Sequence, residues 1–116
     1  MNILLTGYTG NLGPEIARRL REHQVFALVR EGSQIPASES VIPVTGSLHD
    51  LPTALASSID VIVHAAASTA FRLPLVESRR VNVEGTARLL EFAGGCRRLR
   101  QFLHLSTACV CGARGG

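Results

Sequence analysis

Short apolar runs and stretches with helical spacing alternate along the whole chain. The first run, residues 2–6, ends at a glycine, and the following stretch places Leu12, Ile16 and Leu20 on one helical face with arginines opposite. Gly94-Gly95 ends the last helical stretch, as a glycine after a helix commonly does. Strands are predicted at residues 2–6, 25–29, 41–45, 59–64 and 99–105, and helices at 11–22, 51–57 and 74–93.

The order of these elements predicts an α/β fold. Strands that are apolar almost throughout, instead of alternately apolar and polar, are typical of a parallel sheet with helices on both faces. The 116 residues suffice for one modest domain. We therefore expect a Rossmann-type, doubly wound parallel sheet of about five strands.

Composition narrows the class of protein. The sequence is 46% hydrophobic and 18% charged, no apolar run is long enough to span a membrane, and no basic leader precedes the first strand. A cytoplasmic protein is therefore expected. The net charge of +3 is carried by arginines without one lysine. These arginines cluster near predicted helix ends and have no aromatic residues between them, which argues against nucleic-acid binding.

Cysteines and histidines are the candidates for metal binding. The sequence has three cysteines: Cys96, Cys109 and Cys111. They are too few for a disulfide framework, and the Cys109-x-Cys111 pair has no second pair, so small buried apolar residues are expected and no metal site. His64 and His104 lie in predicted strands and are expected to be hydrogen-bonded core residues. His23 and His49 show no discernible chemistry.

The turn between the first strand and the first helix is the strongest candidate for ligand binding. Gly7, Gly10 and Gly13 lie where a dinucleotide pyrophosphate would meet free backbone N–H groups and the positive end of a helix dipole. Gly7 would allow the tight turn, Gly10 the approach of the pyrophosphate, and Gly13 close packing of helix and sheet. A glycine turn without a ligand is the alternative. The predicted contacts are Gly7, Tyr8, Thr9, Gly10, Asn11, Leu12 and Gly13.

Arg30 bears on the choice of dinucleotide. In NAD sites an acidic residue about 20 positions after the loop accepts hydrogen bonds from the adenosine ribose. Here the second strand ends in Ala27-Leu28-Val29-Arg30. Because a guanidinium can bind a 2′-phosphate through two hydrogen bonds, we predict NADP(H) in preference to NAD(H). The alternative is an exposed arginine that merely follows the strand.

Five segments together resemble the extended short-chain dehydrogenase/reductases, and they cover almost the whole chain. The matching segments are Thr6-Gly7-x-x-Gly10-x-x-Gly13, Gly46-Ser47-Leu48, Val63-His64-Ala65-Ala66-Ala67, Asn82-Val83-x-Gly85-Thr86 and Phe102-Leu103-His104-Leu105-Ser106-Thr107-Ala108. Within the family, Leu28-Val29-Arg30 and Ala66-Ala67-Ser68-x-x-Phe71 are most similar to the thioester-reductase and fatty-acyl-CoA-reductase branch. The resemblance implies an oxidoreductase that uses NADPH to reduce a small-molecule carbonyl or an acyl thioester on a carrier protein or coenzyme A. Sugar epimerases and dehydratases share most of these motifs, so a fragment of such an enzyme stays open.

The resemblance also implies roles for individual residues. Thr107 aligns with the family's catalytic Ser/Thr, whose hydroxyl polarises the substrate carbonyl for hydride attack, and Ser106 would support it or contact the cofactor. Asn82 would hold backbone or water geometry near the site and is a further candidate cofactor contact. Hydrogen bonds to the nearby backbone are the alternative role of all three. The remaining implied cofactor contacts are Ser47, Leu48, Ala65, Ala66 and Ala67.

Part of the family's machinery is missing. Its catalytic tyrosine, with a lysine four positions later, lies beyond the Ser/Thr strand, whereas this chain has no lysine and its one tyrosine is Tyr8. Gly46-Ser47 also lacks the usual aspartate, and Cys109-Val110-Cys111-Gly112 stands where tyrosines are common. We therefore expect residues 1–116 to be the N-terminal NAD(P)-binding part of an NAD(P)-dependent oxidoreductase, not catalytic alone. The alternatives are a non-catalytic dinucleotide-binding regulatory module and a decayed gene product.

Overall fold

Five parallel strands form a single sheet in the computed structural model, which describes residues 1–10, 12–33, 35, 38–66 and 75–105. The strands are β1 (Asn2–Thr6), β2 (Gln24–Val29), β3 (Val41–Thr45), β4 (Val61–His64) and β5 (Gln101–His104). Their order in the sheet is β3-β2-β1-β4-β5. The order reverses between β1 and β4, the point at which open α/β sheets bind ligands. The predicted Rossmann-type fold is thus confirmed.

The helices are shorter or less regular than their patterns predict. They are α1 (Gly13–Arg19), a 3-10 helix (Thr53–Ser58), α2 (Leu75–Arg79), a π turn (Arg80–Glu84) and α3 (Gly85–Gly94). The long helix predicted at 74–93 thus contains a π turn, in which the Gly85 N–H bonds to the Arg80 carbonyl five residues back. No helix in the described ranges is long and apolar enough to cross a membrane.

The two faces of the sheet pack against different helices. Since successive side chains of a strand point to opposite faces, Ile3 and Leu5 join the cluster under α1, and Leu4 joins the cluster under α3. Leu89 and Phe92 of α3 are buried in that second cluster. The helices on both faces explain why the strands are apolar almost throughout.

Asp60, a buried residue just before β4, connects three strands at the amino end of the sheet through its carboxylate and its backbone carbonyl. Asp60 Oδ2 accepts the Asn2 N–H at 2.8 Å, and the Asp60 carbonyl accepts the Arg100 N–H at 2.7 Å. The Asn2 N–H lowers the pKa of the Asp60 carboxyl, burial opposes it, and the Arg98 guanidinium at 3.2 Å adds to the lowering. The predicted strands at 59–64 and 99–105 therefore begin later, at Val61 and Gln101, because this anchor precedes them.

Candidate dinucleotide-binding site

A cleft of about 480 Å³ lies at the opposite, carboxyl end of the sheet. It is lined by Thr6, Gly7, Thr9, Gly10, Leu28, Val29, Arg30, Gly46, Ser47, Leu48, His49, Ala65, Ala66, Arg80 and Val81. These residues come from the ends of β1 to β4, the segments that follow them, and the π turn. Its volume is typical of a small-molecule site.

The structure brings together half of the residues predicted from the sequence. Those that line the cleft are Gly7, Thr9, Gly10, Arg30, Ser47, Leu48, Ala65 and Ala66. Those described but not lining it are Tyr8, which packs against the core under α1, exposed Leu12, buried Gly13 and half-buried Asn82. Asn11, Ala67, Ser106 and Thr107 lie outside the described residues, as do Cys109 and Cys111.

Glycines shape the loop after β1 by close backbone contacts. Gly7 has φ +84°, and a Cβ there would lie 2.6 Å from the carbonyl carbon of Ala65. The Gly10 N–H donates to the Gly7 carbonyl at 3.1 Å, and the nearest atom to a Cβ at Gly10 would be that oxygen, at 3.4 Å. The backbone at Gly10 is therefore open to a ligand. At Gly13, the first residue of α1, a Cβ would overlap Gly7 and Tyr8, so this glycine lets the start of the helix pack closely against the loop that follows β1.

A chain of buried and partly buried hydrogen bonds lies beneath the loop. Thr6 Oγ1 contacts His64 Nδ1 at 2.7 Å, and His64 Nε2 contacts Thr86 Oγ1 at 3.0 Å. Thr86 donates its own proton to the Asn82 carbonyl at 2.9 Å. Thr6 Oγ1 in turn accepts the N–H groups of Ala65 and Ala66 at 3.2 and 3.1 Å. The chain connects β1, β4 and the segment Asn82-Val83-x-Gly85-Thr86.

The donors and acceptors of this chain determine the form of His64. Since the Thr86 hydroxyl donates to Asn82, it accepts from His64, and the ring proton lies on Nε2. Nδ1 then accepts the proton of Thr6, whose oxygen already receives two backbone N–H groups. Burial, with a smaller effect of the charge on His104, lowers the pKa of His64 to about 4. His64 is therefore neutral at physiological pH.

His64 and His104 differ, although both lie in strands. His64 is 1% exposed and hydrogen-bonded at both ring nitrogens, so its prediction as a satisfied core residue is confirmed. His104 is exposed, and its ring stacks on that of His64 at 5.0 Å between centroids. The prediction of a core residue is wrong for His104, because β5 lies at the edge of the described sheet. Cys96 is buried, as predicted.

The turn after β3 forms another wall of the cleft. Ser47 and Asp50 exchange two backbone hydrogen bonds of 3.1 and 3.0 Å, and the Ser47 hydroxyl accepts the His49 N–H at 3.2 Å. A Cβ at Gly85 would lie 2.6 Å from Leu48 Cδ1. The glycine of the Asn-Val-x-Gly-Thr segment therefore lets the long helix approach this turn closely.

His49 and Arg80 are cleft residues that the sequence analysis missed. His49 Nε2 donates to the Arg80 carbonyl at 3.1 Å, which connects the turn after β3 to the π turn. Arg80 is exposed and lines the cleft together with Arg30. The only signal in the sequence was that Arg80 stands two positions before Asn82-Val83-x-Gly85-Thr86.

Comparison with known proteins agrees with this geometry. Residues 49–116 match an NAD-binding family described as male sterility protein. Fatty acyl-CoA reductase 2, chloroplastic, of Arabidopsis thaliana is 37% identical over 84 residues, which are 66% of this chain and 14% of that protein.

Two solved structures are similar along most of the chain. The terminal R domain from the myxalamid PKS-NRPS biosynthetic pathway matches with a TM-score of 0.76 at 29% identity, covering 94% of this chain and 35% of that one. MoeE5 in complex with UDP-glucuronic acid and NAD matches with a TM-score of 0.82 at 27% identity, covering 100% of this chain and 40% of that one. The chain thus spans well under half the length of each of these relatives. It belongs to the NAD-binding male sterility protein family, within the extended short-chain dehydrogenase/reductases, and its cofactor is a nicotinamide dinucleotide.

Proposed function

We propose that this chain is the NADP(H)-binding part of an oxidoreductase that reduces an acyl thioester. The observation that carries the proposal is Arg30, placed at the end of β2 in a cleft whose lining contains no acidic residue among the described positions. A 2′-phosphate beside Arg30 would be attracted to its guanidinium, whereas the ribose hydroxyls of NAD would find no carboxylate there. The family relationship supports the dinucleotide, and the charge of the cleft supports the phosphate.

The described residues fit the adenosine and phosphate part of such a cofactor. Gly10 leaves its backbone open to a pyrophosphate, and Leu28 and Leu48 provide apolar walls in the same cleft. Thr6, which is bonded to the neutral His64, accepts the N–H groups of Ala65 and Ala66. These bonds fix the backbone of the two alanines where they line the cleft. The reduced nicotinamide, when bound, supplies the hydride.

The catalytic roles follow from the resemblance and belong to the proposal. The Thr107 hydroxyl would donate a hydrogen bond to the substrate carbonyl oxygen, which draws negative charge onto that oxygen as hydride adds to the carbon. Ser106 would support Thr107, and Asn82 would keep the backbone of the long helix in place. The chain has no lysine, and its one tyrosine, Tyr8, lies in the loop, so we expect no turnover by residues 1–116 alone.

The substrate class comes from the relatives. The Arabidopsis thaliana protein is a fatty acyl-CoA reductase, and a coenzyme A ester is an acyl thioester. The similarity to MoeE5 bound to UDP-glucuronic acid and NAD favours a second candidate, part of a sugar-nucleotide epimerase or dehydratase that uses NAD. The choice between NADPH and NADH separates the two candidates. A cytoplasmic site of action stays a prediction.

Calorimetric titration of the chain with NADPH and NADH tests the proposal. We expect NADPH to bind at least about tenfold more tightly, since two charge-assisted hydrogen bonds exceed 1.4 kcal/mol. Arg30→Gln should remove most of that difference and leave NADH binding unchanged. Arg97→Gln, which removes an exposed arginine outside the cleft, is the matched control. Equal or tighter NADH binding by the unaltered chain would overturn the choice of NADP(H) and favour the second candidate.

A further inference from the structure

Two arginines line the cleft, and the backbone beside each is bonded to the turn after β3. Arg30 follows β2, and the carbonyl of its neighbour Val29 accepts the Gly46 N–H at 2.9 Å, which ties the end of β2 to the start of that turn. Arg80 begins the π turn and comes from the long helix. Both side chains are exposed and both residues line the cleft.

His49 connects Arg80 to the same turn. Its ring Nε2 donates to the Arg80 carbonyl at 3.1 Å, and its backbone N–H donates to Ser47 Oγ at 3.2 Å. The Arg80 carbonyl also accepts the Gly85 N–H within the π turn. The backbone of Arg80 is therefore held against the turn that adjoins Arg30, while its guanidinium takes no part in these bonds.

Within the part of the chain that the structure describes, neither guanidinium has a carboxylate partner. The ion pairs within the described ranges are made by Arg18, Arg19 and Arg98. All nine acidic residues of the sequence fall within those ranges, and none of them lines the cleft. Glu31, Glu77 and Glu84 are the acidic residues nearest to the two arginines in sequence, and none of these pairs includes them. The lining of the cleft therefore carries two positive charges that pair with no acidic side chain among the described residues.

We propose that Arg80 binds the adenosine 2′-phosphate together with Arg30, and that the two arginines set the selectivity for NADP(H). The inference rests on the proposed function and adds to it a specificity-determining residue from the long helix. A phosphate monoester carries up to two negative charges and three terminal oxygens, so it can accept hydrogen bonds from two guanidiniums at once. A single arginine would leave about half of that charge without a partner.

The test uses two small probes that differ only in the presence of the 2′-phosphate. Adenosine 2′,5′-bisphosphate and adenosine 5′-monophosphate are titrated into the chain and into Arg80→Gln, with the heat of binding as the readout. We expect Arg80→Gln to weaken binding of the bisphosphate about fivefold to tenfold and to change binding of the monophosphate less than about twofold. Higher ionic strength should reduce the preference of the unaltered chain for the bisphosphate more than that of Arg80→Gln.

Arg79→Gln is the matched control, because it removes the same charge from the adjacent exposed position, which does not line the cleft. It should leave both affinities within about twofold of those of the unaltered chain.

Equal weakening of both probes by Arg80→Gln would overturn the inference, since the arginine would then contact the adenine or the 5′-phosphate. Unchanged affinities would overturn it as well. In both cases a loss of selectivity in Arg30→Gln would leave the proposed function standing. An unaltered chain that binds both probes equally would overturn both proposals.

Discussion

The floor and the rim of the cleft use polar side chains in opposite ways. The floor is the chain of Thr6, His64 and Thr86 beneath the loop, in which each ring nitrogen and each hydroxyl group takes part in a hydrogen bond. At the rim, Arg30 and Arg80 are exposed and have no carboxylate partner in the described part of the chain. The floor therefore contributes to the stability of the fold, and the rim is open to an anion.

This difference has a physical cause. A buried polar group without a partner costs about 1 to 3 kcal/mol, so the floor is stable only when each donor meets an acceptor. An exposed guanidinium is solvated by water and can remain without a protein partner until a ligand binds. Substitutions in the floor should therefore change the free energy of unfolding, and substitutions in the rim should change ligand affinity.

The largest effect on the free energy of unfolding is expected from a substitution at Gly7, the residue that follows Thr6 of the floor. Gly7→Ala should lower the free energy of unfolding by about 3 kcal/mol or more, because positive φ strains alanine and its Cβ would lie 2.6 Å from the Ala65 carbonyl carbon. Urea denaturation followed by circular dichroism measures this. Gly32→Ala is the control, since Gly32 has the same φ of +84° and nothing within 4 Å of a Cβ. It should lose only about 1 to 2 kcal/mol. Equal losses would show that the contact with Ala65 is unimportant.

A smaller effect is expected from the titration of His64. Its pKa is about 4 in the fold and 6.5 in the reference state, so protonation favours the unfolded chain as the pH falls below 6.5. Between about pH 7 and about pH 5, this should cost about 2 kcal/mol of stability. Urea midpoints at the two pH values measure the loss. His64→Gln cannot titrate at this position and should show a smaller difference between them; an unchanged difference would contradict the neutral imidazole.

The smallest effect on the free energy of unfolding is expected from substitutions of the two rim arginines. Arg30→Gln and Arg80→Gln should each change the free energy of unfolding by less than about 0.5 kcal/mol, because neither exposed side chain has an ion pair to lose within the described ranges. The same urea titrations, made without ligand, check this. A loss of more than about 1 kcal/mol in either variant would show that the rim arginines stabilise the fold. It would contradict the division of roles in which only the floor does so.

Local patterns accounted for much of the fold. β1 and β3 have the predicted bounds, residues 2–6 and 41–45, because short apolar runs next to turn residues indicate buried strands. The glycines at 7 and 10 and Arg30 were also placed at the cleft by their positions after a strand. Where local pattern competed with a distant contact, the prediction was less accurate. Val61, not Ile59, begins β4, because Asp60 bonds to the backbone of Asn2.

Sequence by itself determined the class of fold, the loop after β1 and the arginine after β2, because each depends on residues that are neighbours along the chain. Only the tertiary structure decided the partners of His64, which lie 58 residues before it and 22 after it. Only the tertiary structure placed Arg80 in the cleft, since a bond to His49, 31 residues away, holds its backbone there. Such contacts follow from the order of the strands and leave no periodic trace in the sequence.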